Sequence, residues 1–134
     1  MNKEQNKNKT ESIKEQKIDL IEELSENITA DLKSLPKGSR GLVVLKGPNI
    51  GEKILIEKSM LHIDRTPESE ILLDDITVSR RHAMLEKIGD DYRIVDAGSL
   101  NGIYVNGDIV EKAILKNGDR IQIGKYIFLY FSIK

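Results

Sequence analysis

The chain has 134 residues, 39% of them apolar, and its 21 basic and 22 acidic side chains leave a formal net charge of -1. That length suits one modest core plus an extension, and the near-neutral balance excludes a general nucleic-acid binder, which needs a basic surplus to displace phosphate counterions. Cysteine is absent, which removes disulfide staples, thiolate metal sites and cysteine nucleophiles together and makes a reducing cytoplasm the expected location.

Residues 1–12 are polar without apolar periodicity and are expected to be disordered. No apolar stretch follows Met1 there, so a signal peptide is not expected. At Ser12-Ile13-Lys14-Glu15 a serine with a glutamate three residues on forms a capping box. Ile13, Leu20, Ile21, Leu24, Ile28, Leu32 and Leu35 then recur at steps near three, four or seven, which predicts an amphipathic helix over about 13–35 that Pro36 and Gly38 stop. Residues 1–37 are therefore read as a flexible tail with one helix, and 38–134 as the folded domain. The tail helix is expected to fray or rest on the domain, with docking on a partner or self-association as the other uses for its apolar side.

After Gly41 the pattern becomes β throughout. Short segments rich in branched and aromatic residues run over Leu42–Leu45, Lys53–Ile56, Met60–Ile63, Glu70–Leu73, His82–Ile88, Tyr92–Val95, Ile103–Val105, Ile109–Val110, Ala113–Leu115, Arg120–Ile123 and Tyr126–Ile133. Turn signals separate them, among them Gly47-Pro48-Asn49, Gly89-Asp90-Asp91, Asn106-Gly107-Asp108 and Asn117-Gly118-Asp119. Many short strands with no helical pattern between them predict an all-β sandwich or barrel. The longest apolar run, Tyr126 to Phe131, is far shorter than the roughly 20 residues a membrane helix needs.

Tests for catalytic or metal chemistry fail. Gly47–Lys53 lacks the spacing, the hydroxyl residue and the following helix of a phosphate-binding P-loop. Asp74-Asp75 and Asp90-Asp91 sit in turns, where aspartate is common for backbone reasons. His62 and His82 are too few for a typical histidine metal site, and His62 reads as an ordinary strand residue. Ser79, His82 and Asp96 can be picked as a Ser-His-Asp set, but no nucleophile elbow supports it. No enzyme activity, cofactor or metal is expected.

Three loops carry a more coherent chemistry. Ile63–Ser69 puts Arg65 at a strand end, Val78–Ala83 contains Ser79-Arg80-Arg81-His82, and Asp96–Gly102 holds Asn101-Gly102, with Asn106-Gly107 close behind. Guanidinium donors, a hydroxyl and side-chain amides without a general base suit recognition of a doubly charged oxyanion. Loops at one end of a β-sandwich are a usual place for such residues.

Arg65, the Ser79-Arg80-Arg81-His82 segment and the Asn101-Gly102 and Asn106-Gly107 pairs resemble, in order and spacing, the signature of the forkhead-associated (FHA) domain family over roughly residues 41–134. The resemblance implies an eleven-stranded β-sandwich that binds phosphothreonine peptides at its loop end. It implies that Arg65 and Ser79 contact the phosphate, that Arg80 flanks it, and that Asn101 bonds the peptide backbone. His82, Gly102 and Asn106 are implied as structural support, with Arg81 and Thr66 at the rim. Two positions depart from the family pattern: Asp64 stands where glycine is usual before the arginine, and Ile103 where threonine often follows the asparagine-glycine pair.

A short extension before a single C-terminal domain, with Ile71–His82 and Gly98–Gly102, is especially similar to the bacterial oxoglutarate dehydrogenase inhibitor type of single-FHA regulator. That likeness implies a cytoplasmic adaptor downstream of a Ser/Thr protein kinase, with phosphothreonine proteins and a metabolic enzyme such as 2-oxoglutarate dehydrogenase as partners. It also implies a phosphorylated tail that occupies its own site. In that type the tail carries a threonine pair; here only Thr10 and Thr29 are available. The alternative is a phosphate-independent interaction or assembly factor that docks through the sandwich face and the tail helix.

Overall fold

The computed structural model describes Ile28 and residues 31–134, so the expected disordered stretch, the capping box, Thr10 and Thr29 lie outside the described residues. Eleven strands follow one another: β1 (Arg40–Lys46), β2 (Lys53–Leu55), β3 (Met60–Asp64), β4 (Ile71–Leu72), β5 (Ala83–Ile88), β6 (Asp91–Asp96), β7 (Ile103–Val105), β8 (Asp108–Val110), β9 (Lys112–Ile114), β10 (Arg120–Ile123) and β11 (Tyr126–Ser132). Each lies on a segment expected from composition and turn spacing. The main difference is that His82 precedes β5 rather than opening it, because its ring is committed to the loops.

The strands form two packed sheets, one ordered β2-β1-β11-β10-β7-β8 and the other β4-β3-β5-β6-β9. All pairings are antiparallel except β3 with the two-residue β4. The core between the sheets takes Leu42, Val44, Phe128, Tyr130, Ile121 and Ile103 from one layer and Ile63, Ala83, Leu85, Tyr92 and Ile94 from the other. β10 alternates half-buried and buried positions, as a strand with one solvated face should.

β1 and β11 do not alternate. Val43, Leu45, Leu129 and Phe131, on the outer face of the six-stranded sheet, are as buried as their inward neighbours. They form a second cluster with Ile28 and Leu32, with Leu35 packed against it. The end of the predicted tail helix thus lies on the sandwich, and continuous apolar runs in β1 and β11 are what burial on both faces requires.

Turns place the chain where the sequence asked for them. The loop resembling a P-loop is a β1–β2 turn, with Asn49 at φ 62° and Gly51 N–H bonded to Val44 O at 2.8 Å. Asp91, from an aspartate pair, organises the end of the molecule where β1, β11 and the β5–β6 turn meet. It faces Arg40 Nε at 3.2 Å and Lys134 Nζ at 3.2 Å, and it accepts from Tyr130 Oη at 3.0 Å.

Candidate functional site

At the other end three connections converge: β3–β4, β4–β5 and β6–β7. Ser79 is where they meet. Its carbonyl accepts the Arg65 N–H at 3.2 Å, its own N–H donates to His82 Nδ1 at 3.0 Å, and its Oγ accepts the Leu100 N–H at 3.0 Å. The sequence-predicted residues Arg65, Ser79 and Asn101 are therefore on loops tied to one another by hydrogen bonds. Asn101 Nδ2 donates to Thr77 O at 3.4 Å, a long bond from an exposed side chain.

His82 lies beneath them with no exposed surface. Its Nε2 is 2.8 Å from Gly102 O, and Ala97 N–H donates to its carbonyl at 2.9 Å. A backbone N–H can only donate and a carbonyl can only accept, so the ring is neutral with its proton on Nε2. One imidazole thus links the β4–β5 and β6–β7 loops. Gly102 suits glycine because its φ is +83°; a Cβ there would meet the movable end of the exposed Ile109 side chain.

Asp96 and Ser99 shape the β6–β7 loop. Asp96 Oδ1 accepts the N–H of Gly98 at 3.0 Å and of Ser99 at 2.8 Å, Ser99 Oγ donates to Asp96 Oδ2 at 3.0 Å, and the same oxygen accepts Gly102 N–H at 2.9 Å. This is an Asx-type turn closed on itself. Thr77 is a further tie, accepting Lys125 N–H on its Oγ1 at 2.9 Å and so holding the β4–β5 loop to the β10–β11 turn. None of these three roles is evident from the sequence. The aspartate two and three residues before Gly98 and Ser99 was the available signal for the loop; for Thr77 there was none.

Asp64, the departure from the family's usual glycine, is buried. Its Oδ1 accepts Thr66 N–H at 3.1 Å and Thr66 Oγ1 at 2.8 Å, so the carboxylate braces the β3–β4 loop. Asn106 lies at the far end of β7. At φ 52° it makes the β7–β8 turn, donates from Nδ2 to Asp119 Oδ1 at 2.9 Å and accepts Arg120 N–H at 2.9 Å. These bonds join it to the β9–β10 connection and not to Ser79 or Asn101.

Arg65, Arg80 and Arg81 are exposed, and among the described residues none of their guanidinium groups has a side-chain partner. Lys125, by contrast, is paired with Asp75 at 3.3 Å. The loop end therefore presents unneutralised guanidinium donors beside a rigid hydroxyl. The Ser-His-Asp set is not a triad: His82 Nδ1 faces the Ser79 amide rather than its hydroxyl, and the Asp96 carboxylate bonds its own loop.

The FHA domain family model matches residues 62–124, which contain all three loops. The oxoglutarate dehydrogenase inhibitor of Corynebacterium jeikeium is 43% identical over 121 residues, covering 87% of this chain and 84% of that protein. The chain belongs to the FHA domain family. The glycogen accumulation regulator GarA of Mycolicibacterium smegmatis is 44% identical over 108 residues, covering 81% of this chain and 68% of that protein. Among solved structures, one from a structural and functional analysis of phosphothreonine-dependent FHA domain interactions superposes with a TM-score of 0.65 at 26% identity, over 72% of this chain and 98% of that one. The chain is thus similar to FHA-domain regulators and to a domain studied for phosphothreonine-dependent interactions.

Proposed function

We propose that residues 38–134 form the reading unit, in which Arg65 and Ser79 hold the phosphate of a phosphothreonine segment, Arg80 flanks it and Asn101 bonds the adjoining backbone. His82 and Gly102 hold the loops that carry them, and Asn106 shapes the β7–β8 turn that follows. The observation that supports this most is Ser79: its carbonyl, amide and hydroxyl each bond a different partner, so the hydroxyl is fixed beside the strand end that carries the unpaired Arg65. Preorganised donors of this kind lose little entropy on binding a dianion.

The relatives' names, oxoglutarate dehydrogenase inhibitor and glycogen accumulation regulator, support a role in setting the activity of a metabolic enzyme, 2-oxoglutarate dehydrogenase first among the candidates. A Ser/Thr protein kinase supplies the phosphothreonine. In this reading residues 1–37 are the regulatory tail, with Thr10 and Thr29 as its acceptor sites, and the protein works in the cytoplasm. No helix among the described residues is long and apolar enough to cross a membrane. The test is a phosphothreonine peptide library presented to the full chain, with the unphosphorylated library alongside. Phosphate-dependent capture is the expected result; equal capture from both libraries would favour a phosphate-independent interaction factor.

A further inference from the structure

The edge strands β2 and β4 leave a cleft of about 280 Å³ between them along one side of the sandwich. Val44, Ile54, Ile71, Leu73, Tyr126 and Phe128 line it, so its interior is apolar and continuous with the core between the sheets. Gly47 lets the β1–β2 turn close over the Tyr126 ring, since a Cβ there would lie 2.6 Å from Cδ2. The same ring is stacked on Phe128, with centroids 6.1 Å apart and planes 8° apart. Tyr126 is thus fixed between the turn and Phe128, and a cleft walled by fixed rings is preformed, as small-molecule sites usually are.

The cleft also holds unpaired polar groups. Tyr126 is only 7% exposed, yet its hydroxyl makes no hydrogen bond among the described residues, whereas the Tyr92 and Tyr130 hydroxyls both do. A buried tyrosine normally finds a partner for its hydroxyl. At the rim Glu52 is exposed, and its carboxylate has no partner among the described residues. Glu70, the other carboxylate there, is already engaged: it accepts His62 N–H at 2.7 Å and faces Lys58 Nζ at 3.7 Å. No basic side chain is among the lining residues. The volume is roughly twice the ~150 Å³ of a cavity that holds benzene, so one bicyclic ring fills it. Apolar walls, a hydroxyl inside and a free carboxylate at the rim together describe a compact organic cation.

We propose that the cleft between β2 and β4 is a second ligand site, which takes a small aromatic amine. The ring lies among Ile71, Leu73 and Tyr126 and hydrogen-bonds the Tyr126 hydroxyl, with the ammonium group beside Glu52. None of Arg65, Ser79, Arg80 and Asn101 lines this cleft, so the site is independent of the phosphothreonine reading.

The test is a heteronuclear NMR titration of the full chain with tryptamine, indole and indole-3-acetate. Tryptamine should bind saturably with a dissociation constant of about 1 mM or below, as suits a ligand of about twelve heavy atoms, and the largest shifts should fall at Val44, Gly47, Ile71 and Leu73. Indole, which lacks the charge, should bind about two- to fivefold more weakly, the worth of one exposed ion pair, and indole-3-acetate more weakly still. Glu52→Gln should bring tryptamine to within about twofold of indole. Tyr126→Phe should weaken both by about two- to tenfold while melting no lower than the parent, because the hydroxyl it removes has no bond to lose. Absence of saturable shifts at the cleft residues with all three probes would overturn the site, as would tryptamine affinity unchanged in both variants. Equal affinity for tryptamine and indole-3-acetate would overturn the assignment of a cation as its ligand.

Discussion

Replacing His82 by alanine should loosen the site and the fold together, because one ring holds two loops. The substitution leaves the part-buried Ser79 N–H without its acceptor and the buried Gly102 carbonyl without its donor, bonds of 3.0 and 2.8 Å made by a ring with no solvent exposure. Each orphaned buried group costs about 1–3 kcal/mol, so the pair costs about 2–6 kcal/mol, toward the lower end if water enters the space. At about 4–8 °C per kcal/mol for a domain of this size, a loss near 3 kcal/mol lowers Tm by about 12–24 °C. The assay is a thermal melt followed by circular dichroism, with phosphopeptide titration well below the lowered Tm. Binding should weaken as well, since Ser79 loses the bond that orients it. A variant that melts within about 3 °C of the parent would refute the bridging role of the ring.

Leu32→Ala tests the tail contact. Leu32 is only 2% exposed and packs on Val43, Leu129 and Phe131 outside the main core, so the change should cost about 2 kcal/mol or more in urea unfolding, with phosphopeptide affinity within about twofold of the parent. Asp91→Asn tests acid stability: burial pushes the Asp91 carboxyl up, but hydrogen bonds from Lys134 and Tyr130 outweigh it and hold it below the ordinary carboxylate range. Its stabilisation is therefore present above the unfolded value near pH 4 and lost as pH falls through the lowered folded value. The variant should be less stable at pH 7, and the gap to the parent should close in acid; a constant gap would refute this. Phosphorylating Thr10 with a Ser/Thr kinase should move the NMR signals of Ser79 and Asn101. The stretch of about 18 residues from Thr10 to Ile28 spans about 27 Å if helical and at most about 60 Å if fully stretched, and tethering supplies roughly millimolar local concentration. A modified tail with unmoved signals would mean that the site reads other molecules only.

The strands were legible because each carries a local signature, as in Arg120-Ile121-Gln122-Ile123, or a turn such as Asn106-Gly107, whose positive φ asparagine tolerates well. The loops' roles were not, because they depend on partners far along the chain. Thr77 is held by Lys125, and nothing near Thr77 in sequence announces it. Asp64 stands out in the sequence only as a departure from the family's glycine, and its carboxylate turns into its own loop. The stripe containing Ile28 and Leu32 was evident, but not that it covers β1 and β11. Hydrophobic periodicity says that a face must be buried and leaves the covering surface open.

The most direct measurement compares one validated phosphothreonine peptide on the parent, Arg65→Ala and Ser79→Ala by isothermal titration, with melting curves to establish that each variant is folded. A charge-assisted phosphate contact is worth about 1.5–3 kcal/mol, so each variant should bind roughly ten to more than a hundred times more weakly. Folded variants that bind the peptide as tightly as the parent would contradict the assignment of this loop end as the phosphothreonine site.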